Sequence, residues 1–508
     1  MTVNDFSRRG DLRQVSSPAL QDRVEPYCLY ALALCCMLAA SLLGAYLASG
    51  HNWGDDFGAY LHLARNLQLG RPYDYLTPDM GEMTPPGFPW LLSRWAHLTG
   101  WELVKLKTLN VFSWVALAAA TYRLARYYAP SFPSLLTALA VLCCPFFVFA
   151  QQDLISDMPY AVVSTACLCL ATAATQSSGV RRLGWTLALA AGVFVAFSFR
   201  PATIGLVAAL VGYQLYLLVF GFVRTRKVDF TALATAGLIV ATTVVFVLLI
   251  PGPFRMHGTN AAGHTFSLAL RSSEEFRNFS SLFLGFNAPV WAAPLLLFSV
   301  LVGALMGVVR HRSLTPVHFF AAAYLSMIVL TPWDGGPRYL FPLVPVAFVF
   351  IAMAAQGWQP APVGTAVLFG RAAAFVVLLG LLVNGGREIH AARAYSSDEI
   401  QHPKAVELVQ WLRDNTRADE ALCAFKPRAI LYLVERRSMH IGFEPYSGDG
   451  DAYLRAMQCG YAVIPNRGSL GGLYDGVSAK LASDPTLQAV YDNTAYSVFV
   501  PKTQDARH

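Results

Sequence analysis

Apolar runs of roughly the length needed to cross a bilayer, about twenty residues, recur along the chain as far as residue 387 and then stop. They fall near 27–49, 105–124, 132–150, 159–175, 183–199, 202–222, 230–250, 289–309, 316–331, 339–355 and 366–385. Short polar segments separate them. The stretch 84–98, "TPPGFPWLLSRWAHL", is too short to cross, and Trp90, Trp95 and Trp101 suit a helix lying at headgroup level. Beyond 388 the pattern changes. Residues 402–416 have helical periodicity, 421–425, 461–465 and 496–501 read as short buried strands, and 427–437 and 470–483 read as helices between them. The fold expected is a polytopic α-helical membrane protein of about eleven transmembrane helices with a small C-terminal extracytoplasmic α/β domain. Its parts are a cytoplasmic segment 1–26, a transmembrane catalytic domain 27–387 with outer loops 50–101 and 251–287, and an outer domain 388–508.

Composition agrees with this pattern. Charged residues are 14% of the chain, against about 25% in soluble domains. The first run is preceded by 26 residues, is long enough to span and lacks a clean cleavage pattern, so it reads as a retained span. The net charge of +7 does not point to nucleic acid, because most of it sits in clusters that topology explains. Arg8, Arg9, Arg13 and Arg23 precede the first run. Arg123 with Arg126, Arg181 with Arg182, "RTRK" at 224–227 and "RHR" at 310–312 then all fall on the cytoplasmic side under one strict alternation. That alternation requires 84–98 to be interfacial, since a crossing there would put every later cluster on the wrong side. Arg371, near the inner end of the last run, is tolerable if it snorkels.

The same alternation gathers Asp55, Asp56, Asp153, Asp157, Arg200, Asp334 and Arg338 on the outer face. Asp56, Tyr60, Leu63 and Leu67 recur at helical spacing, and either Asp55 or Asp56 can cap that helix. Asp157, just before Pro159, can be a cap as well. Arg200 and Arg338 stand at span boundaries, where a guanidinium calls for an anionic partner. That partner is either internal, such as Asp157 or Asp334, or a phosphate. Seven of nine cysteines lie in or beside apolar runs and suit buried thiols. Cys423 and Cys459 lie in the polar region, where a disulfide and two free thiols are both open.

Four segments in order resemble the polytopic glycosyltransferases of the C superfamily, which use polyprenyl-phosphate sugars. The likeness is greatest to the family-39 group of aminoarabinose transferases and protein O-mannosyltransferases. "GDDFGAYLHLARNLQLGRPY" resembles the first outer-loop motif, in a register that selects Asp56 over Asp55. "TPPGFPWLL" resembles the entry to the interfacial helix, "SDMPY" the second acidic site, and "RYLFPLVP" the late Arg-Tyr motif. The resemblance covers about 50–360. No Lys occurs in 72–102, where aminoarabinose transferases carry one, and Phe57 follows Asp56 where many members have Glu. The acceptor therefore stays open.

The resemblance implies an inverting transfer from a polyprenyl-phosphate-linked sugar to a hydroxyl of an envelope lipid, glycan or protein. Asp56 would be the general base, with Asp157 orienting the acceptor and Asp55 the competing acid. Arg200 and Arg338 would hold the donor phosphate. Tyr60, Trp53 and Tyr73, aromatics of the outer segments, suit either stacking on a sugar face or, as the default, anchoring at the interface, and Asp334 would contact sugar or acceptor. No cofactor is assigned. A divalent metal on Asp56, Asp157 and His264 is the weaker way to neutralise the phosphate. The chain is expected to work as a monomer in a bacterial inner membrane, among membrane lipids and without nucleic acid, its site and C-terminal domain facing the periplasm or exterior. The alternatives are a transporter or flippase for a lipid-linked saccharide, which calls for charges at midplane depth and internal repeats, and an accessory subunit.

Overall fold

A computed structural model of the chain describes residues 18–73, 84–250, 275, 277–279, 281–282, 292–331, 336–356, 383–387, 399–442, 449–468 and 472–502. In chain order the helices are α1 (Pro18–Tyr46), α2 (Asp55–Gln68), α3 (Gly87–Thr99), α4 (Leu103–Arg126), α5 (Ser131–Leu142), α6 (Pro145–Ala150), α7 (Asp157–Gln176), α8 (Gly179–Phe199), α9 (Thr203–Thr225), α10 (Phe230–Leu249), α11 (Ala292–His311), α12 (Pro316–Leu330) and α13 (Leu343–Gln356). Then come α14 (Pro403–Asn415), β1 (Ala421–Ala424), α15 (Pro427–Val434), β2 (Arg437–His440), α16 (Gly450–Ala456), β3 (Tyr461–Pro465), α17 (Asp475–Ser483), β4 (Leu487–Asp492) and β5 (Tyr496–Pro501). Among the described residues six helices are long and apolar enough to cross a membrane: Val24–Tyr46 of α1, and α4, α7, α8, α9 and α10. Shorter apolar helices are α5, Leu297–Val309 of α11, α12 and Leu343–Met353 of α13.

One expected span comes out differently, and another is left open. The run 132–150 is two helices, α5 and α6, because Pro145 lacks an amide hydrogen and pushes Cys144 out of the helical region to φ −65°, ψ 116°. The run 366–385 lies largely outside the described residues.

The chain forms two compact units. The first comprises 1–47, 108–151 and 156–392. Its helices pair α7 with α8, α9 with α12, α8 and α9 with α10, α11 with α13, and α1 with α5. A side chain on Gly303 of α11 would meet the Phe350 carbonyl, so α11 and α13 pack backbone to backbone. Three ion pairs fix which helix ends coincide. Glu25 in α1 takes Arg126 at the end of α4 at 3.0 Å. Arg182 in the first turn of α8 meets Asp229, the N-cap of α10, at 3.6 Å. Asp157 at the start of α7 pairs with Arg200 just beyond α8. Each pair joins ends that the charge alternation places on one side.

The second unit comprises 48–107, 152–155 and 393–508. Its sheet has the order β2-β1-β3-β5-β4, with the β2–β1 and β1–β3 pairings parallel and the β3–β5 and β5–β4 pairings antiparallel. The three central strands are the three apolar runs of the sequence, buried along their length as strands covered on both faces must be. The edge strands, "RSMH" and "LQAVYD", carry polar residues and gave no apolar run. Helix α2 packs on both α3 and α15, so a segment far from the C-terminus in sequence belongs to this unit.

Cys423 of β1 and Cys459, just before β3, form a disulfide with Cα atoms 5.6 Å apart, closing a separation of 36 residues. Loop entropy makes such a link worth about 4 kcal/mol. Replacing both cysteines with Ala should lower the melting transition of this unit, followed by tryptophan fluorescence, and reductant should do the same to the parent and nothing to the variant. A parent indifferent to reductant would mean two free thiols.

Candidate functional site

In the first unit the outer-face candidates converge on one tyrosine. Asp157 stands in the first turn of α7, where the helix dipole favours an anion, and is 2% exposed. Arg200 follows the last turn of α8, where the dipole favours a cation, and Pro201 ends the helix there. The antiparallel α7–α8 hairpin brings these two ends together, so the buried ion pair follows from where two helices stop. The Arg200 guanidinium lies 4.5 Å from the centre of the Tyr339 ring. Arg338 lies 5.7 Å from the same ring. Tyr339 sits in a short 3-10 turn, Pro337–Leu340, and its carbonyl accepts from the Tyr324 hydroxyl at 3.2 Å. Two guanidiniums thus lie against one aromatic ring, a setting suited to an anion of more than one charge.

In the second unit Asp56 is in the first turn of α2. The helix begins at Asp55 and its N-cap is Gly54, so neither acid caps it. The Gly54 amide is taken by Asn52 Oδ1 at 2.8 Å instead. Arg428 Nη1 donates to Asp56 Oδ1 at 3.1 Å. This contact requires α2 to lie against the start of α15, and Gly58 allows it: a Cβ there would come within 2.7 Å of Ala429 Cα. Phe57, 1% exposed, stacks on His51 with centroids 4.1 Å apart.

A buried polar network holds the segment before α2. His51 Nδ1 donates to the Asn52 carbonyl at 2.9 Å, while Nε2 accepts from the Leu154 amide at 3.1 Å. Both nitrogens are satisfied only in the neutral ring. Burial, with Lys107 nearby, pushes the His51 pKa down to about 3. Lys107 is itself fully buried, and its ammonium donates to the carbonyls of Ala48 at 3.0 Å and Gly50 at 2.6 Å. Asn52 Nδ2 donates to Asp153 at 3.0 Å.

The remaining candidates divide. Trp53 is 2% exposed, with its indole N–H on the Tyr496 hydroxyl at 2.8 Å and its ring edge-on to Phe425 at 5.0 Å. It is a core anchor and offers no face to a sugar. Tyr60 meets Phe88 of α3 edge-on at 4.8 Å. The Tyr73 hydroxyl donates to the Thr84 carbonyl at 2.9 Å. Asp334 and His264 lie outside the described residues, and only the backbone of Asp55 is described. Among the described residues no three His, Cys, Asp or Glu side chains gather to hold a metal. The sequence offered no pointer to Arg428, which lies 372 residues from Asp56 in a segment read as an ordinary helix. Lys107 did leave a signal, as a lysine inside an apolar run.

No family model matches the chain, and no curated protein does. Solved structures do resemble it. ArnT from Cupriavidus metallidurans in the apo state superposes with a TM-score of 0.60 at 14% identity, over 93% of this chain and 98% of that one. The same protein bound to undecaprenyl phosphate gives 0.56. The archaeal oligosaccharyltransferase AglB from Archaeoglobus fulgidus, in complex with an inhibitory peptide and a dolichol-phosphate, gives 0.58 at 13% identity, over 86% of this chain and 69% of that one. The arabinofuranosyltransferase AftD from Mycobacteria gives 0.58 at 14% identity, over 93% of this chain and 40% of that one. The chain therefore shares the fold of these three proteins.

The His51 network makes a pH dependence. Unfolded, the imidazole titrates near 6.5; folded, near 3. Between these values the unfolded state binds one more proton, so stability is full above pH 6.5 and falls as the pH drops, by up to about 1.4 kcal/mol per unit. Equilibrium unfolding of this unit between pH 7 and 5 should show that decline, and His51→Gln should flatten it while lowering stability overall. Equal slopes in parent and variant would put the acid sensitivity elsewhere.

Proposed function

We propose that the chain is an inverting glycosyltransferase that moves a sugar from a polyprenyl-phosphate donor to the hydroxyl of an extracytoplasmic acceptor. The observation that carries this reading is the fold it shares with three glycosyl-transferring membrane proteins, two of which are described with a polyprenyl phosphate bound. The outer-face acids and arginines supply the chemistry.

The acceptor oxygen attacks the anomeric carbon. The bond from that carbon to the phosphate oxygen breaks, and its electron pair leaves on the phosphate. Asp56 takes the acceptor proton as the new bond forms. One displacement inverts the anomeric configuration and leaves a polyprenyl phosphate. That phosphate is already a good leaving group, so no general acid is needed. Arg200 and Arg338, sharing the Tyr339 ring, meet its growing charge. Asp157 acts through Arg200, fixing the direction of its guanidinium. Arg428 is a positioning residue that holds the Asp56 carboxylate by one oxygen.

The reading places the protein in a bacterial inner membrane with residues 388–508 outside. Two facts support that orientation: basic clusters collect on one side of the alternation, and the Cys423–Cys459 disulfide is the kind of bond that persists in an oxidising compartment.

The test is single-turnover transfer with donor-loaded protein. Asp56→Asn keeps size and hydrogen bonding but loses the base, and should slow transfer roughly 100-fold to 10,000-fold with donor binding little changed. Asp55→Asn should cost far less. Loss in the Asp55 variant with near-normal transfer in the Asp56 variant would reverse the roles; near-normal transfer in both would remove the base from the mechanism.

A further inference from the structure

The second unit contains a cleft of about 200 Å³ that the proposed transfer does not use. It opens where α2 and α15 end. Helix α2 contributes His62, Arg65 and Asn66, at spacings of three and four that set them on one face. Helix α15 contributes Tyr432, its C-cap Glu435 lies opposite Arg65, and Arg71 closes the rim from the turn after α2.

The floor is polar and nearly dry. His62 and Asn66 are 8% and 5% exposed, and the Asn66 amide meets His62 Nε2 at 3.2 Å. The rim is charged. Arg65 meets Glu435 at 2.6 Å, but their side chains are 45% and 57% exposed. An ion pair so wet is weak and exchanges readily with a ligand. Among the described residues Arg71 has no ion-pair partner. Its backbone N–H donates to the Asn66 carbonyl at 2.9 Å, which fixes the turn that carries it.

Donors and acceptors side by side, as Arg65, Glu435, His62 and Asn66 are here, suit hydroxyls, which donate and accept at once. The tyrosine adds an apolar body with a polar tip, suited to the C–H face of a sugar. Two arginines against one glutamate leave an excess positive charge. A bare anion is not what the cleft favours, because both helices present their carbonyl ends to it.

We propose that this cleft binds an acidic monosaccharide unit of the acceptor, its hydroxyls on Arg65, Glu435, His62 and Asn66 and its acidic group on Arg71. The inference rests on the transferase reading for the word acceptor, but its test needs no turnover and no donor, so the two can fail separately. Ligand-observed NMR titrations of the full chain in detergent micelles would compare D-glucuronate, methyl glucoside and inorganic phosphate. Glucuronate should bind tightest, by about fivefold over methyl glucoside, the size of one exposed charge pair. Arg71→Gln should erase that margin while neutral-sugar binding persists, and Arg71→Lys should retain most of it. Equal binding of the two sugars, a margin unchanged in Arg71→Gln, or inorganic phosphate binding as tightly as glucuronate would overturn the proposal.

Discussion

A charge at the edge of an apolar slab must bring its partner with it, and in this protein the partner usually comes from the end of another helix. An unpaired carboxylate or guanidinium there loses its water without recompense. Asp157 and Arg200 pair because α7 begins where α8 stops. Glu25 and Arg126 do the same for α1 and α4, and Arg182 and Asp229 for α8 and α10. Removing one member of the buried Asp157–Arg200 pair strands the other, so the pair helps hold these two helix ends together. Lys107 follows the same rule with backbone carbonyls in place of a carboxylate, tying the segment after α1 to the start of α4 within the second unit.

These pairings bear on chemistry because they leave polar groups in fixed directions. The Tyr339 ring orients two guanidiniums, and Asp157 holds one of them from a second side. Asp56 is held by Arg428, and the close approach that permits it depends on Gly58, two residues further along α2, which lies against the backbone at Ala429. A transferase of the proposed kind needs little more from its protein than a base, cations for a departing phosphate and positions that do not drift.

Much of the fold was legible because both solvents leave a period in the sequence. Among the described residues most apolar runs marked helices to within a few residues, and the three buried strands were read as such. The edge strands β2 and β4 were not, since an edge strand carries polar residues and leaves no run. The break at Pro145 was visible as a residue type, yet the apolar run across it concealed two helices. Of the candidate site, Asp157, Arg200 and Arg338 could be found because each is a charge at a span boundary. The pairing of Asp56 with Arg428 could not, because nothing local links positions 372 residues apart. Trp53 was misjudged for a related reason: an aromatic in an outer segment looks the same whether it faces a ligand or, as here, the core.

The central claim is that the chain holds a polyprenyl phosphate with Arg200 and Arg338. Native mass spectrometry of the purified protein tests it most directly, by reporting which lipid stays bound and whether it carries a sugar. A polyprenyl phosphate, bare or glycosylated, should remain on the parent at about one per chain and be largely lost from Arg338→Gln. Bulk phospholipid alone on the parent, or equal retention of the polyprenyl phosphate by the variant, would contradict it.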